Sequence, residues 1–94
     1  MFTHKDFSLF SQKYFIIICT SAYHIIIKSK NTQHTWHLHA YSLDGKHYSI
    51  HVYHKHHDYD EFHWQSGMRS ANCMEAVTHI KKHDAWFLTK KKHA

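Results

Sequence analysis

Fourteen of the 94 residues are histidine. Imidazole can ligate a metal, exchange a proton near neutral pH, or stack as a flat ring. The histidines crowd into residues 34 to 56, where His37, His39 and His51 alternate with apolar neighbours. Facing each other across two strands, His37 and His51, with His39 two residues along, would offer three nitrogens to zinc, copper or nickel. A second group, His54, His56, His57, Asp58, Asp60, Glu61 and His63, is denser. With this many histidines some neighbours arise by chance, and neither group has the fixed spacing of a zinc finger or a zincin. The expectation is therefore a surface of hydrogen-bonding imidazoles with no metal and no cofactor. Cys19 and Cys73 form no Cys-x-x-Cys pair and read as two buried thiols.

Catalysis has two routes. His37 and His51 could share base and acid roles in RNA cleavage, because both protonation states coexist near neutral pH. His56-His57, then Asn72, then His79 or His83 resembles the histidine, asparagine, histidine order of the small metal nucleases with a ββα core. The resemblance covers under a third of the chain, and no glycine-rich turn or zinc-binding cysteines accompany it. It implies a metal-dependent nuclease. His79 and His83, four residues apart, share one helix face that reads as solvated. Neither route has a phosphate clamp, which places catalysis behind binding.

Binding accounts for more of the residues. Tyr41, Tyr53, His37, His39, His47 and His51 are placed to line an exposed strand face, where flat rings stack on bases or pack on a protein. Lys46, Lys55, Arg69, Lys81, Lys82, Lys90, Lys91 and Lys92 supply positive charge. The formal net charge is +5 with histidines neutral, a balance suited to anionic partners. At ordinary histidine pKa values, about ten imidazoles would be protonated at pH 6, roughly tripling that charge. The expected function is a small, basic, non-enzymatic module that binds nucleic acid. The alternative partner is an acidic protein surface, as for a small interaction or inhibitor protein of the kind mobile elements encode.

These side chains need a scaffold, and its centre is a hairpin. Period-two alternation flanks Asp44-Gly45, a strong turn signal. A type I turn over Ser42 to Gly45, with Gly45 in the left-handed bulge position, pairs Ser42 with Lys46. Trp36 then faces Val52, Leu38 faces Ile50 and Ala40 faces Tyr48 on a core side. On the other side Thr35 meets Tyr53, His37 meets His51, His39 meets Ser49 and Tyr41 meets His47.

Upstream, residues 1 to 13 form an arm with Phe2, Phe7 and Phe10 available as a cover. Phe15 to Cys19 reads as a strand covered on both faces, and Tyr23 to Lys28 as its neighbour across a tight turn at residues 20 to 22. If the arm does not cover the first strand, a second copy of the chain would, as a homodimer. Downstream, Glu61 to Gln65 is a further strand with Phe62 and Trp64 on one face, closed by Gly67. A helix starts near Ser70 or Asn72, carries Cys73, Val77 and Ile80 as its stripe, and ends at Lys81, Lys82 and His83. Ala85 to Thr89 reads as a closing strand or packed tail, and residues 90 to 94 as a frayed basic end. The predicted fold is one α+β domain over 1–94: an antiparallel sheet of four to five strands with one C-terminal helix on one face. The apolar run from Tyr14 to Ile27 is interrupted by Thr20, Ser21 and His24 and falls short of the roughly 20 residues of a membrane span. A cytoplasmic protein away from the membrane is expected.

Overall fold

The computed structural model describes residues 1–42, 44–64 and 68–92, the last two as backbone only. The fold is α+β, with a five-stranded antiparallel sheet and one C-terminal helix. Strands β1 (Phe15–Thr20), β2 (His24–Ser29), β3 (Thr35–Tyr41), β4 (Ser49–Lys55) and β5 (His63–Trp64) lie in chain order across the sheet. Each connection is therefore a turn between neighbours, and alternation within each strand decides which side chains face inward. On the inner face Ile25, Ile27, Trp36, Leu38, Ala40, Ile50 and Val52 are buried. Trp36 is fully enclosed because its indole N–H donates to Ser29 Oγ at 3.1 Å.

The hairpin has the predicted faces and a different register. Leu38 pairs with Val52, Ala40 with Ile50 and Trp36 with His54, two residues away from the expected partners. On the other side His39, not His37, meets His51, His37 meets Tyr53, and Tyr41 meets Ser49. The cause is the connection between β3 and β4. Asp44 Oδ1 accepts from the backbone N–H groups of Lys46 and His47 at 2.8 and 2.9 Å, and Gly45 N–H donates to Ser42 Oγ at 2.8 Å. The carboxylate thus holds a longer loop in place of a tight turn. Gly45 does adopt the left-handed conformation, φ 76°. The expected type I turn includes Leu43, which lies outside the described residues, as do Gln65, Gly67 and the final two residues of the expected tail.

A short helix, α1 (His4–Phe7), opens the chain with a reciprocal capping box between Thr3 and Asp6. Phe2 N–H donates to the Ala22 carbonyl at 2.7 Å, and Phe2 and Phe10 join the core, so the arm does fold back. It covers β1 at Phe15, whose buried ring meets Phe10 at 5.6 Å, and leaves the rest of the strand exposed. Strand β1 pairs only with β2 and has a bulge between Ile17 and Cys19; Ile16, Ile17 and Ile18 are 43, 38 and 53 % exposed. The expectation of a strand covered on both faces, with a buried Cys19, is corrected: β1 is the sheet edge and Cys19 is exposed.

Helix α2 (Cys73–Lys92) begins where predicted, with Asn72 Oδ1 accepting from Glu75 N–H at 2.9 Å. It runs through the segment expected as a closing strand. Cys73, Ala76, Val77 and Ile80 pack on the core, and the same stripe continues through His83, Asp84 and Phe87. Asp84 is fully buried and satisfied: Tyr14 Oη donates to one carboxylate oxygen at 2.7 Å and Thr32 Oγ1 to the other at 3.1 Å. A buried carboxylate with both oxygens engaged does not break a helix face.

Candidate functional site

The helix and the N-terminal arm occupy the inner face of the sheet, so the outer face is left as a platform. Register places side chains there in rows. Ile26, His37, Tyr53 and Trp64 form one row across β2 to β5, and His24, His39 and His51 form the next. Tyr41 and Ser49 end the platform on the hairpin side. The rings touch: His24 stacks on His39 at 4.5 Å, Tyr41 on His51 at 4.8 Å, and Trp64 meets His51 edge-on at 4.7 Å. His24 Nδ1 and His37 Nε2 lie 2.9 Å apart and share one hydrogen bond. Residues 56–62 fold over the far end, where Phe62 lies 5.6 Å from His37 and Lys28 pairs with Asp58 at 2.9 Å.

The predicted binding residues divide into three groups. His37, His39, Tyr41, His51 and Tyr53 come together on the platform. Lys55 stands at its edge, over the Phe62 ring at 4.7 Å. Arg69 is delivered beside His51 because Ser70 forms a two-bond bridge to Ile50, with Met68 and Ser70 facing inward and Arg69 outward. Lys46 and His47 sit in the hairpin loop around Asp44, whose carboxyl is held well below its usual range by the His47 imidazole and by the loop N–H groups. A shallow hollow of about 210 Å³ lies between Tyr41, Asp44, His47 and Arg69. The lysines of α2 belong to the opposite layer. Lys81 lies over Tyr14 at 5.0 Å and Lys90 over Trp86 at 5.0 Å; Lys82 is exposed, and the side chains of Lys91 and Lys92 lie outside the described residues. The basic end expected to fray is helical through Lys92, the last residue of α2.

Sequence reasoning missed His24, Ile26 and Trp64 as members of this face. The signal was the pairing of β2 with β3, which cannot be registered until the turn at residues 30–34 is known. That turn places Gln33 at φ 62°.

Six of the histidines are also less basic than expected. Burial, with repulsion from His24, lowers the pKa of His37 and His39, and burial with Arg69 lowers that of His51. On the inner side burial brings His34 to about 4 and His54 to about 3, and lowers His83. The threefold rise in charge at pH 6 is therefore corrected downward, since these six imidazoles resist protonation there.

The open-face trio His37, His39 and His51 is not the set with metal spacing. Among the described residues, metal-compatible clustering occurs at His34, His54 and His56, of which His56 is exposed, and at His34, His83 and Asp84. Of the residues in the histidine, asparagine, histidine order, Asn72 caps α2, and His57 stacks on Tyr59 at 5.1 Å. No helix among the described residues is long and apolar enough to cross a membrane. Comparison with protein-family models, with curated proteins and with solved structures finds no match.

Proposed function

We propose that the protein is a small binding module whose open sheet face takes single-stranded nucleic acid. One observation carries this reading: a contiguous platform of flat rings, His24, His37, His39, Tyr41, His51, Tyr53 and Trp64, lies on the face that helix and arm leave free. Base stacking on such rings is tolerant of sequence and needs no catalytic group. Lys46, Lys55 and Arg69 border the platform and supply phosphate contacts, with Lys28 available where it leaves Asp58. A cytoplasmic location belongs to the same proposal, supported by two unpaired cysteines.

The test is fluorescence anisotropy of labelled single-stranded RNA and DNA with the full chain at 50 and 200 mM salt. Three or four phosphate contacts predict an affinity loss of about 20- to 50-fold between those concentrations. Trp64→Ala and Tyr41→Ala should each weaken binding about 5- to 100-fold, the range for one stacked base. Absence of binding at 50 mM, or binding lost only when Lys81, Lys82 and Lys90 are changed, overturns the reading.

The protein-partner reading also has an observation in its favour, the exposed edge strand β1 with Ile16, Ile17 and Ile18. An apolar edge of this kind adds a strand from another chain, and a second copy is the simplest source. A dimer mass in light scattering that persists on dilution, and that Ile17→Lys abolishes, supports it; a monomer at all concentrations removes it.

A further inference from the structure

The core does not end in apolar side chains at its α2 C-terminal end. Beyond Trp36 the inner face continues as imidazole: His34 follows the β2–β3 turn, His54 and His56 extend from β4, and His83 comes down from α2. His34 and His54 are only 2 and 5 % exposed. His54 stacks on Trp36 at 3.9 Å, His34 stacks on His56 at 4.2 Å, and Phe87 closes over both His34 and His56. Four rings from separate parts of the chain thus converge, with His34 and His54 buried, His83 half-buried and His56 at the exposed rim.

We propose that His34, His54 and His56, with His83 as the fourth group, form a binding site for a borderline divalent metal ion, zinc being the first choice. Three observations support it independently. The ligand nitrogens of His34, His54 and His56 all lie within 4.8 Å of one another. His34 Nδ1 and His54 Nε2 are 3.0 Å apart and share a buried hydrogen bond. Two imidazoles on a tetrahedral zinc, with Zn–N near 2.05 Å, stand about 3.3 Å apart, so an ion would take the place of the shared proton once this pair opens by about 0.3 Å and the rings turn toward a common point. Finally, His83 Nδ1 is buried with no hydrogen-bond partner among the described residues. An orphaned buried nitrogen is rare and costly, and a metal or a water is its ordinary explanation.

The donor set selects the metal. Imidazole nitrogens suit zinc, copper, nickel and iron, whereas calcium and magnesium require oxygen. Charge is partly offset locally, because the buried carboxylate of Asp84 lies within 4.8 Å of ligand atoms of His34 and His83. Its oxygens already accept from Tyr14 and Thr32, which suits a fixed counter-charge beside the ligands and not a ligand itself. Alternation along the strands does not reveal this set, because His34 and His83 join it only through the β2–β3 turn and the extension of α2.

A histidine-rich chain collects metal nonspecifically, so the test must locate the ion. The full chain is stripped with chelator and titrated with zinc, while spectra correlating imidazole 15N with ring protons are recorded on the unaltered protein. The expected result is one equivalent bound first, with shifts at His34, His54, His56 and His83 before His24, His37 or His39. The melting temperature should rise by about 10 °C or more at a hundredfold excess over Kd. Cobalt(II) in place of zinc should give the intense visible bands of tetrahedral coordination. His54→Gln should weaken the first site at least 100-fold, while His39→Gln leaves it unchanged; removing groups that only support ligands already costs 10- to 100-fold. First-equivalent shifts confined to the open face, or no saturable site tighter than micromolar, overturn the proposal. If His54→Gln does not fold, the wild-type 15N titration alone decides.

Discussion

Leu38 and His39 are adjacent and point to opposite faces of the central strand, so substituting each by alanine is a direct test of which face is core. Leu38 is fully buried, with Ile25 on one side and Val52 on the other, both also fully buried. Leu38→Ala removes roughly three methylene equivalents, about 2.4 kcal/mol of transfer free energy. The space left behind is slow to collapse, because β2 and β4 are hydrogen-bonded on both sides and α2 closes the face through Ile80. A residual cavity adds about 1 to 2 kcal/mol, for a total of about 3 to 4 kcal/mol. For a chain of this size that corresponds to a fall in Tm of about 12 to 30 °C. His39→Ala lies on the half-buried outer face and should cost no more than about 1 kcal/mol. Urea denaturation followed by circular dichroism measures both, and an unchanged m-value shows that the same surface is exposed in each case. Equal losses, or a larger loss for His39→Ala, would refute the assignment of faces and with it the platform.

Thiol labelling offers a second check. With a chromogenic disulfide at pH 8, Cys19 should react within minutes in the native chain and Cys73 only in denaturant, because burial, reinforced by Asp6, pushes the Cys73 thiol up to about 12; equal rates would place the N-terminal arm off the core. The pH dependence of stability provides a third. Burial and His24 hold His37 below its ordinary pKa of 6.5, so the unfolded chain binds the proton more readily: stability is full above pH 6.5 and falls as pH drops below it. His37→Gln in chelated buffer should flatten the slope between pH 7 and 5, and a chain that gains stability on acidification would contradict the burial.

The faces of β3 and β4 were legible because alternation is a local property. Trp36, Leu38 and Ala40 share parity, as do Ile50 and Val52, and any register that keeps parity buries them. The register itself was not legible. It depends on how the Asp44 carboxylate gathers the loop N–H groups, and a loop two residues longer preserves parity while moving every partner. The length of α2 failed for a different reason. Asp84 interrupts an apolar stripe in the sequence, and only Tyr14 and Thr32, from far along the chain, make it an acceptable core residue. The position of β1 depends on strand order, and a run of isoleucines reads the same at the centre of a sheet as at its edge.

The same parity divides the histidines into two populations with different chemistry. On the outer face His37, His39 and His51 sit among Tyr41, Tyr53 and Trp64, close enough to water to stack on a ligand. On the inner face His34 and His54 continue the row begun by Leu38 and Trp36, with His56 at its exposed rim, and a buried imidazole there must find a neighbouring nitrogen, a ring or a metal in place of water. Trp36 is the boundary: it stacks on His54 and meets His83 edge-on at 5.2 Å, so the last apolar side chain of the core is also the wall of the imidazole cluster. Loss of the Trp36 ring would therefore open the inner cluster to solvent without touching the platform. Trp36→Leu should raise the protonation of His54 in histidine-resolved NMR while leaving the His24–His39 stack in place. If both populations change together, the two faces are not independent and the division of roles between them fails.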